Sequence, residues 1–463
     1  DELYAHQLTL AIARLNNRKK AGRPTLGTGD LEASVLTELG FDLTKSQKSS
    51  IEDIKQDLAK PFRMNRLLQG DVGSGKTVVA FVSLLVAIEA GGQGVLMAPT
   101  EILVQQHVEN LRPLGDKVGV VVESLTGRDK GKEREKKLKA LRDGNIHILI
   151  GTHAVFQSGV NFLDLRLAII DEQHRFGVRQ RLALGEKGQS VDVLVMTATP
   201  IPRTLTMTLY GDMDLSIIRE KPKSRKPIKT YSKLESKIDD VIKFIKKEIK
   251  SGNQIFWVCP LIEESKKLDH SSAVKKFEYL SKLFPNQVSL LHGKTDSEDK
   301  EIVLDNFLKN KFKILVSTTI IEVGIDFPNA NVIIIENANK FGLSQLHQLR
   351  GRVGRGDKDS TCILMFKSNL SENAKKRINI LKESTDGFYI SEEDMKIRGF
   401  GDILGFKQSG IKNFKLADPI HNSDLFLLAE KEIRRIELDN TDIGKYKPLI
   451  KLYDRADIIN DIA

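Results

Sequence analysis

The sequence predicts an α/β protein built from two parallel-sheet domains in tandem. Short apolar, β-branched runs recur along the chain, and a segment of helical length separates each run from the next. Runs that are apolar on both faces are typical of strands buried in a parallel sheet with helical crossovers. The pattern occurs twice, and residues 217–232, with two prolines and many basic residues, separate the copies. A chain of 463 residues is also too long for one hydrophobic core.

The first copy of the pattern follows two stretches of helical character, at about 3–17 and 30–39. Because its strand-like runs alternate with helical segments, we expect them to pair side by side in one parallel sheet. The runs are RLLQ (66–69), GVLMAP (94–99), IHILIGT (146–152), LAIIDE (167–172) and VLVMTAT (193–199).

The second copy predicts another sheet of the same kind, and the chain after about residue 370 is mostly helical. Its runs are QIFWVCP (254–260), VSLLHG (288–293), FKILVSTT (312–319), NVIIIEN (331–337) and TCILMF (361–366). The predicted organisation is a helical lead-in at 1–40, a first domain at 41–218, a connector at 219–230, a second domain at 231–369 and a C-terminal helical region with a hairpin at 370–463.

Composition limits the classes of protein that fit. The 72 Lys and Arg residues exceed the 62 Asp and Glu residues, which favours a polyanionic partner such as nucleic acid. The two cysteines, Cys259 and Cys362, lie in apolar runs without metal-ligand spacing. The chain contains neither an apolar run of about 20 residues nor a signal-peptide pattern, so we expect no membrane association.

Residues 70–77 read GDVGSGKT, directly after the run RLLQ and before the helical stretch TVVAFVSLLVAI. This is the strand–loop–helix context of a phosphate-binding P-loop. Its glycines leave backbone N–H groups free to face phosphate oxygens at a helix N-terminus, where the helix dipole favours anions. Lys76 supplies a positive charge to the β- and γ-phosphates, and the Thr77 hydroxyl can ligate Mg²⁺. The predicted ATP contacts here are Gly70, Gly73, Ser74, Gly75, Lys76 and Thr77.

Two adjacent carboxylates end the run LAIIDE, at Asp171 and Glu172. In open α/β sheets, ligands bind outside the carboxyl ends of the strands. Asp171 is therefore expected to help hold Mg²⁺, while Glu172 is expected to orient and deprotonate the attacking water.

The segment SQLHQLRGRVGRG (344–356) of the second copy carries three arginines between glycines. An arginine fork binds phosphate oxygens bidentately, and such a residue contributes on the order of 10³–10⁵ in rate to phosphoryl transfer. Arginines from one domain acting on a nucleotide held by the other would require domain closure, which is typical of a motor. The arginines are Arg350, Arg352 and Arg355, and the predicted catalytic set is Lys76, Glu172, Arg352 and Arg355.

These features resemble the superfamily 2 helicases and translocases, whose two motor domains are RecA-like. FDLTKSQ (41–47) resembles the adenine-reading Q motif, which implies that Gln47 reads the base and that Phe41 stacks on it. VSTTIIEVGIDFPNA (316–330) resembles motif V, and QLHQLRGRVGR (345–355) resembles motif VI. The resemblance adds Gly324 and Asp326 to the expected nucleotide contacts.

The resemblance also implies contacts with DNA. Three segments resemble strand-tracking motifs, namely APTEILVQQH (98–107), LTG (125–127) and GTHA (151–154), and TATPIPRT (197–204) resembles motif III, which couples nucleotide state to DNA grip. Because a translocase does not read sequence, we expect these contacts to be mainly with phosphates. The implied DNA-binding or coupling residues are Thr100, Arg128, Thr152, His174, Thr197, Thr199, Thr318 and Gln348.

Within the superfamily, the chain resembles the RecG family of bacterial branched-DNA translocases. The resemblance rests on DEQH (171–174), on ENANKFGLSQLHQLRGRVGRG (336–356) and on IRGFGDILGFKQSG (397–410). The last stretch resembles a translocation motif that transmits motor movement to DNA, with Arg398 and Gln408 at its polar positions. Phe400 stands where the family usually has Pro. The chain begins with the helix that follows the family's N-terminal wedge domain, so we expect a motor portion without the wedge.

The resemblance implies an ATP hydrolase and DNA helicase of the DEQH type that remodels stalled forks and Holliday junctions in recombination and repair. It implies ATP and Mg²⁺ as cofactors and double-stranded and branched DNA as partners. It further implies single-stranded DNA-binding protein as a protein partner, a monomeric state and the bacterial cytoplasm.

Three other functions remain open on the sequence. One is the motor half of a transcription-repair coupling factor, which shares the motor and a version of the C-terminal motif. A second is an RNA helicase, which the tetrapeptide DEQH and a motif VI that reads QLRGRVGR disfavour. The third is a nucleotide-gated DNA scaffold without turnover, which an intact set of catalytic residues disfavours.

Overall fold

The computed structural model describes residues 1–19, 21–157, 159–171, 190–202, 205–206, 210–222, 225–260, 266–292, 295–318, 325–354, 356, 358–398, 414, 416–417, 421–438 and 443–453. The chain divides into two compact units. Unit 1 comprises Asp1–Glu220 and Met395–Ala463, and unit 2 comprises Lys221–Asp394. The region predicted as 370–463 is therefore divided between the two units.

Unit 1 contains a seven-stranded sheet in which all the strand pairings are parallel. The strand order is β3-β4-β2-β5-β6-β1-β7. The carboxyl ends of parallel strands meet at one edge, so β1, β5 and β6 all end on the same side of the sheet. The strands are β1 Asn65–Gly70, β2 Gln93–Met97, β3 Val122–Leu125, β4 Ile148–Gly151, β5 Leu165–Ile170, β6 Asp192–Thr197 and β7 Asp214–Ile218.

The interior strands of this sheet form where the sequence is apolar on both faces. Every residue of β2 and β4 is buried, and Val95, Leu149 and Ile170 belong to one hydrophobic cluster. Helix α4 (Lys76–Glu89) contacts β2 and β5, whereas α5 (Glu101–Lys117) contacts β3 and β4. The helices that precede unit 2 are α1 Glu2–Lys19, α2 Asp30–Glu38, α3 Lys45–Leu58, α4 Lys76–Glu89, α5 Glu101–Lys117 and α6 Gly131–Arg142.

Unit 2 contains a six-stranded sheet that is also parallel throughout, in the order β10-β11-β9-β12-β13-β8. Trp257, fully buried at its centre, packs in a cluster with Ile334 and Ile245. The strands are β8 Lys229–Leu234, β9 Gln254–Val258, β10 Val288–Leu291, β11 Ile314–Ser317, β12 Ala330–Ile335 and β13 Thr361–Phe366. The helices are α7 Ile238–Lys250, α8 Lys266–Leu283, α9 Ser297–Leu308, α10 Leu343–Arg350, α11 Glu372–Glu383 and α12 Gly387–Arg398. The last residues of α12, from Met395, belong to unit 1.

The C-terminal helices α13 Ser423–Leu438 and α14 Lys447–Leu452 pack against α1 within unit 1. Leu8 of α1 and Ile433 of α13 are buried in the shared apolar cluster. At the start of α1, the buried Glu2 carboxylate accepts hydrogen bonds from the backbone N–H groups of Leu416 and Ala417, at 2.8 and 2.9 Å. The N-terminal helix and the C-terminal helices therefore form one structure.

The architecture confirms the predicted fold class of two tandem parallel-sheet domains with flanking helices. Among the helices of the described residues, none is long and apolar enough to cross a membrane. Three strands, β3, β7 and β8, were not among the predicted runs, and each lies at the edge of its sheet.

Asp192 is a buried carboxyl group at the first position of β6. Burial raises its pKa to about 7. The hydrogen bond from Met64 N–H to Asp192 Oδ1, at 2.7 Å, lowers the pKa, whereas the nearby Asp57 carboxylate raises it. The folded state therefore binds a proton more tightly than the unfolded state does. The contribution of Asp192 to the stability of the folded state is complete below about pH 4, and it is lost as the pH rises through about 7.

We predict that Asp192→Asn becomes progressively more stable than the wild type between pH 4 and pH 8. Asn keeps the acceptor for Met64 N–H and carries no charge, so the gain can reach about 4 kcal/mol at most. Urea denaturation of both proteins at several pH values measures the difference. The exposed Asp116→Asn is the matched control, and a stability difference that does not change with pH would contradict the prediction.

Candidate nucleotide site and nucleic-acid contacts

The loop between β1 and α4 has the backbone conformation that the predicted P-loop requires. Gly73 and Gly75 adopt positive φ angles of 74° and 83°, which only glycine takes without strain. A Cβ atom at Gly75 would lie 2.2 Å from Gln47 Nε2, so a larger residue there would displace the Gln47 amide group. The Ser74 hydroxyl is buried and has no hydrogen-bond partner within the described part of the chain. The loop therefore fits a phosphate group.

Lys76 begins α4 and is buried, with its ammonium group held across the loop. Its Nζ donates to the carbonyl oxygens of Gly70 and Asp71, at 2.8 and 3.1 Å. Phosphate oxygens would offer this cation stronger, charge-assisted hydrogen bonds than neutral carbonyls do. The position of Lys76 is thus compatible with its predicted role.

Gln47 joins the start of α3 to the P-loop. Its Nε2 donates to the Ser74 carbonyl at 2.9 Å, and its Oε1 accepts from Thr44 N–H at 2.8 Å. The second contact belongs to a capping box that begins α3. Gln47 is therefore fully buried between two elements, whereas the ring of Phe41 is 51% exposed.

Asp171 and Thr77 supply the hard oxygen donors that suit Mg²⁺. Asp171 directly follows β5, its backbone N–H donates to Met97 O at 2.9 Å, and its Oδ2 lies 3.1 Å from His107 Nε2. Thr77 lies in the first turn of α4. The described residues contain no group of three or more His, Cys, Asp or Glu that could hold a metal. A Mg²⁺ ion bound largely by phosphates and water needs only one or two such residues.

The end of β6 lies between the P-loop strand and the strand of Asp171. The buried Thr197 hydroxyl accepts from Thr199 N–H at 3.2 Å. From the neighbouring β1, Gln69 Nε2 donates to Ile201 O at 2.8 Å. The predicted motif III segment is therefore attached to the strand that leads into the P-loop.

Several predicted DNA contacts in unit 1 take part in local interactions. Thr100 caps α5 by accepting from Leu103 N–H at 3.4 Å, and Arg128 pairs with Glu101 at 2.7 Å. Thr152 is buried, and its Oγ1 has no hydrogen-bond partner within the described residues.

The loop after LTG is ordered by Asp129, which lies close to the predicted DNA contact Arg128. Partial burial raises the pKa of Asp129, but the hydrogen bonds that it accepts from Lys137 and from the Thr126 N–H lower the pKa by more. The net pKa of Asp129 therefore lies below its usual value. The charged form of Asp129 is therefore favoured, and it forms an ion pair with Lys137 Nζ at 2.8 Å.

The motif VI helix of unit 2, α10, is anchored at both ends. At the start of α10, Asp394 of α12 accepts hydrogen bonds from Leu343 N–H at 3.1 Å and from the Ser344 hydroxyl at 2.7 Å. At its end, Arg350 donates to the carbonyls of Leu381 and Ser384, at 2.6 and 2.8 Å. Arg350 is thus a structural residue in the described arrangement.

The other predicted residues of unit 2 differ in how far they are exposed. Arg352 is 1% exposed and Thr318 is 2% exposed. Asp326 and Gln348 are partly buried. Arg398, at the end of α12, belongs to unit 1 and is exposed. The predicted residues Glu172, His174, Gly324, Arg355 and Gln408 lie outside the described residues, as does Phe400.

Two residues that the motif analysis did not single out make specific contacts here, namely His107 with Asp171 and Asp394 with α10. Both are polar residues on buried helix faces, where His107 has Val104 and Val108 as buried neighbours. A polar residue among apolar residues on a helix face is expected to have a hydrogen-bond partner, and this pattern can be seen in the sequence. The sequence does not identify the partner.

Comparison with known proteins places these features in a family. The family model for DEAD/DEAH box helicases matches residues 44–208, and that for the helicase conserved C-terminal domain matches 236–357. A yeast RNA-bound Dbp5 structure shares the fold, with a TM-score of 0.53 at 16% identity over 79% of this chain and 99% of its own.

Higher similarity is found to RecG proteins. The Bacillus subtilis ATP-dependent DNA helicase RecG is 51% identical over 84% of this chain and 57% of its own length. The Thermotoga maritima protein of the same name is 44% identical over 98% of this chain and 58% of its own length. A solved structure of RecG bound to a three-way DNA junction has a TM-score of 0.79 at 43% identity, over 92% of this chain and 56% of that one. The chain thus spans little more than half the length of these relatives. At this identity, nearly all of this chain is similar to the corresponding part of RecG proteins.

Proposed function

We propose that this chain is the motor portion of an ATP-dependent translocase and helicase that acts on double-stranded DNA and remodels branched DNA, such as stalled forks and Holliday junctions. The preformed loop at residues 70–77, connected to Gln47, carries the ATP hydrolase part of the proposal. The similarity to a RecG structure on a three-way DNA junction supports the branched-DNA part.

In this proposal the residues of unit 1 bind the nucleotide. Gln47 and Phe41 contact the base, and Lys76 exchanges its carbonyl partners for the β- and γ-phosphates. Thr77 and Asp171 would hold Mg²⁺, which when bound neutralises charge on the phosphates.

Three further residues are proposed to act on hydrolysis. Glu172 would orient the attacking water and take its proton, and Arg352 and Arg355 would stabilise the charge that develops on the transferred phosphate. Gly324 and Asp326 are proposed nucleotide contacts. Lys76, Glu172, Arg352 and Arg355 form the proposed catalytic set.

The proposed DNA contacts are mainly with phosphates, because a translocase must grip any sequence equally. Arg398 and Gln408 are proposed to convey movement of the motor to the DNA. We further propose a monomer in the bacterial cytoplasm with single-stranded DNA-binding protein as a partner. The other DNA-binding or coupling residues in this proposal are Thr100, Arg128, Thr152, His174, Thr197, Thr199, Thr318 and Gln348.

We predict Mg²⁺-dependent ATPase activity that duplex or branched DNA stimulates more than RNA does. Lys76→Ala should reduce it by roughly 10²-fold or more, because the main positive charge on the phosphates is lost. Phosphate release with fork, duplex, single-stranded DNA and RNA substrates measures the effect, and Lys48→Ala, at an exposed lysine of α3, is the control.

The result separates the competing functions. Absence of stimulation by any nucleic acid would contradict a motor, and preference for RNA would favour an RNA helicase. DNA binding that depends on nucleotide without hydrolysis would favour a scaffold. Activity confined to duplex DNA, together with binding of RNA polymerase, would favour a coupling-factor motor.

We also predict that Arg398→Ala keeps DNA-stimulated ATPase activity and loses translocation. Arg398 is exposed at the end of α12, a helix that Asp394 attaches to the motif VI helix. Displacement of a triplex-forming strand from duplex DNA measures translocation. Lys396→Ala, at an exposed position of the same helix, should retain both activities. Loss of ATPase activity and translocation together in Arg398→Ala would instead indicate structural support of the motor.

A further inference from the structure

A buried histidine contacts the carboxylate that is proposed to hold Mg²⁺. His107 and Asp171 are 7% and 9% exposed, and His107 Nε2 lies 3.1 Å from Asp171 Oδ2. An ionised carboxylate only accepts hydrogen bonds, so the proton of this bond belongs to Nε2. The contact leaves the other oxygen, Oδ1, for the shell of a metal ion.

The backbone and the side chain of Asp171 are held by different elements. Its N–H is bound to Met97 O of β2, so the main chain is part of the sheet. Its carboxylate is bound to a residue of α5, which is not part of the sheet. The orientation of the carboxylate therefore depends on the position of that helix.

The same helix begins in a segment proposed to contact DNA. Thr100 caps α5, and Glu101 in its first turn pairs with Arg128 at 2.7 Å. His107 follows two turns later, about 10 Å along the helix axis. A regular helix transmits a small displacement over two turns, so movement at its start reaches His107 and then Asp171.

We propose that His107 is a positioning residue that orients Asp171 towards Mg²⁺ and thereby links the DNA-facing start of α5 to the nucleotide site. The DNA part rests on the function proposed above, whereas the Mg²⁺ part requires only that the P-loop binds nucleotide. Partners of this kind, one shell away from a metal, typically contribute 10–100-fold in metal affinity or activity.

The Mg²⁺ part is tested by binding of a fluorescent ADP analogue to the purified chain across a range of Mg²⁺ concentrations. His107→Leu fills the volume without an N–H group, and it should lower the apparent Mg²⁺ affinity by about 10-fold or more. His107→Gln places an N–H donor at a similar reach and should restore most of that affinity. Val108→Ala, at a buried neighbour on the same helix, is the packing control and should behave like the wild type. Thermal denaturation establishes that each variant is folded.

The DNA part is tested by the factor by which forked DNA stimulates ATP hydrolysis at saturating Mg²⁺. This factor should fall several-fold in His107→Leu and recover in His107→Gln. Equal Mg²⁺ affinity in the wild type and His107→Leu, or equal losses in His107→Leu and Val108→Ala, would overturn the positioning role. If no nucleic acid stimulated ATP hydrolysis by the wild-type protein, the proposed function and the DNA link would be overturned. The Mg²⁺ part would still be decided by the binding measurement.

Discussion

Parallel strand pairing determines where functional groups can meet in each unit. In unit 1, β6 lies between β1 and β5. Thr197 is the last residue of β6, and the P-loop and Asp171 continue from the ends of β1 and β5 at the same edge of the sheet. The interior strands satisfy their backbone hydrogen bonds through neighbours on both sides, which makes a continuous apolar sequence stable there. The P-loop therefore follows directly from a buried strand with a hydrogen-bonded neighbour on each side.

The nucleotide loop is held by hydrogen bonds from outside the loop as well as by its own glycines. Gln47 uses one end of its amide to cap α3 and the other to bind Ser74 O. Removing either bond would leave a buried polar group unpaired, which costs about 1–3 kcal/mol. The residue proposed to read the base is thus also a structural link, so its loss would disturb the phosphate loop as well as base recognition.

In unit 2, the arginine-bearing segment depends on a similar set of attachments. Arg350 binds carbonyls beyond α10, and Asp394 binds the start of the same helix. Asp394 lies on α12, which leads to Arg398, so the helix that carries motif VI is bonded to the one that precedes residues 399–413. Hydrogen bonds with Asp394 thus hold the start of α10 within unit 2.

Features that depend on local chemistry follow from the amino-acid sequence alone. The glycines of residues 70–77 require a positive-φ loop at two positions, and the apolar runs require burial in parallel sheets; both were predictable. The edge strands β3, β7 and β8 were missed because an edge strand has a neighbour on one side only and tolerates polar residues, as KTYSKL of β8 illustrates. The hydrogen bonds of Arg350 with backbone carbonyls and the contact of His107 with Asp171 depend instead on the three-dimensional fold. Those partners are distant in sequence, and the packing of helices on the sheet, rather than any local pattern, brings them together.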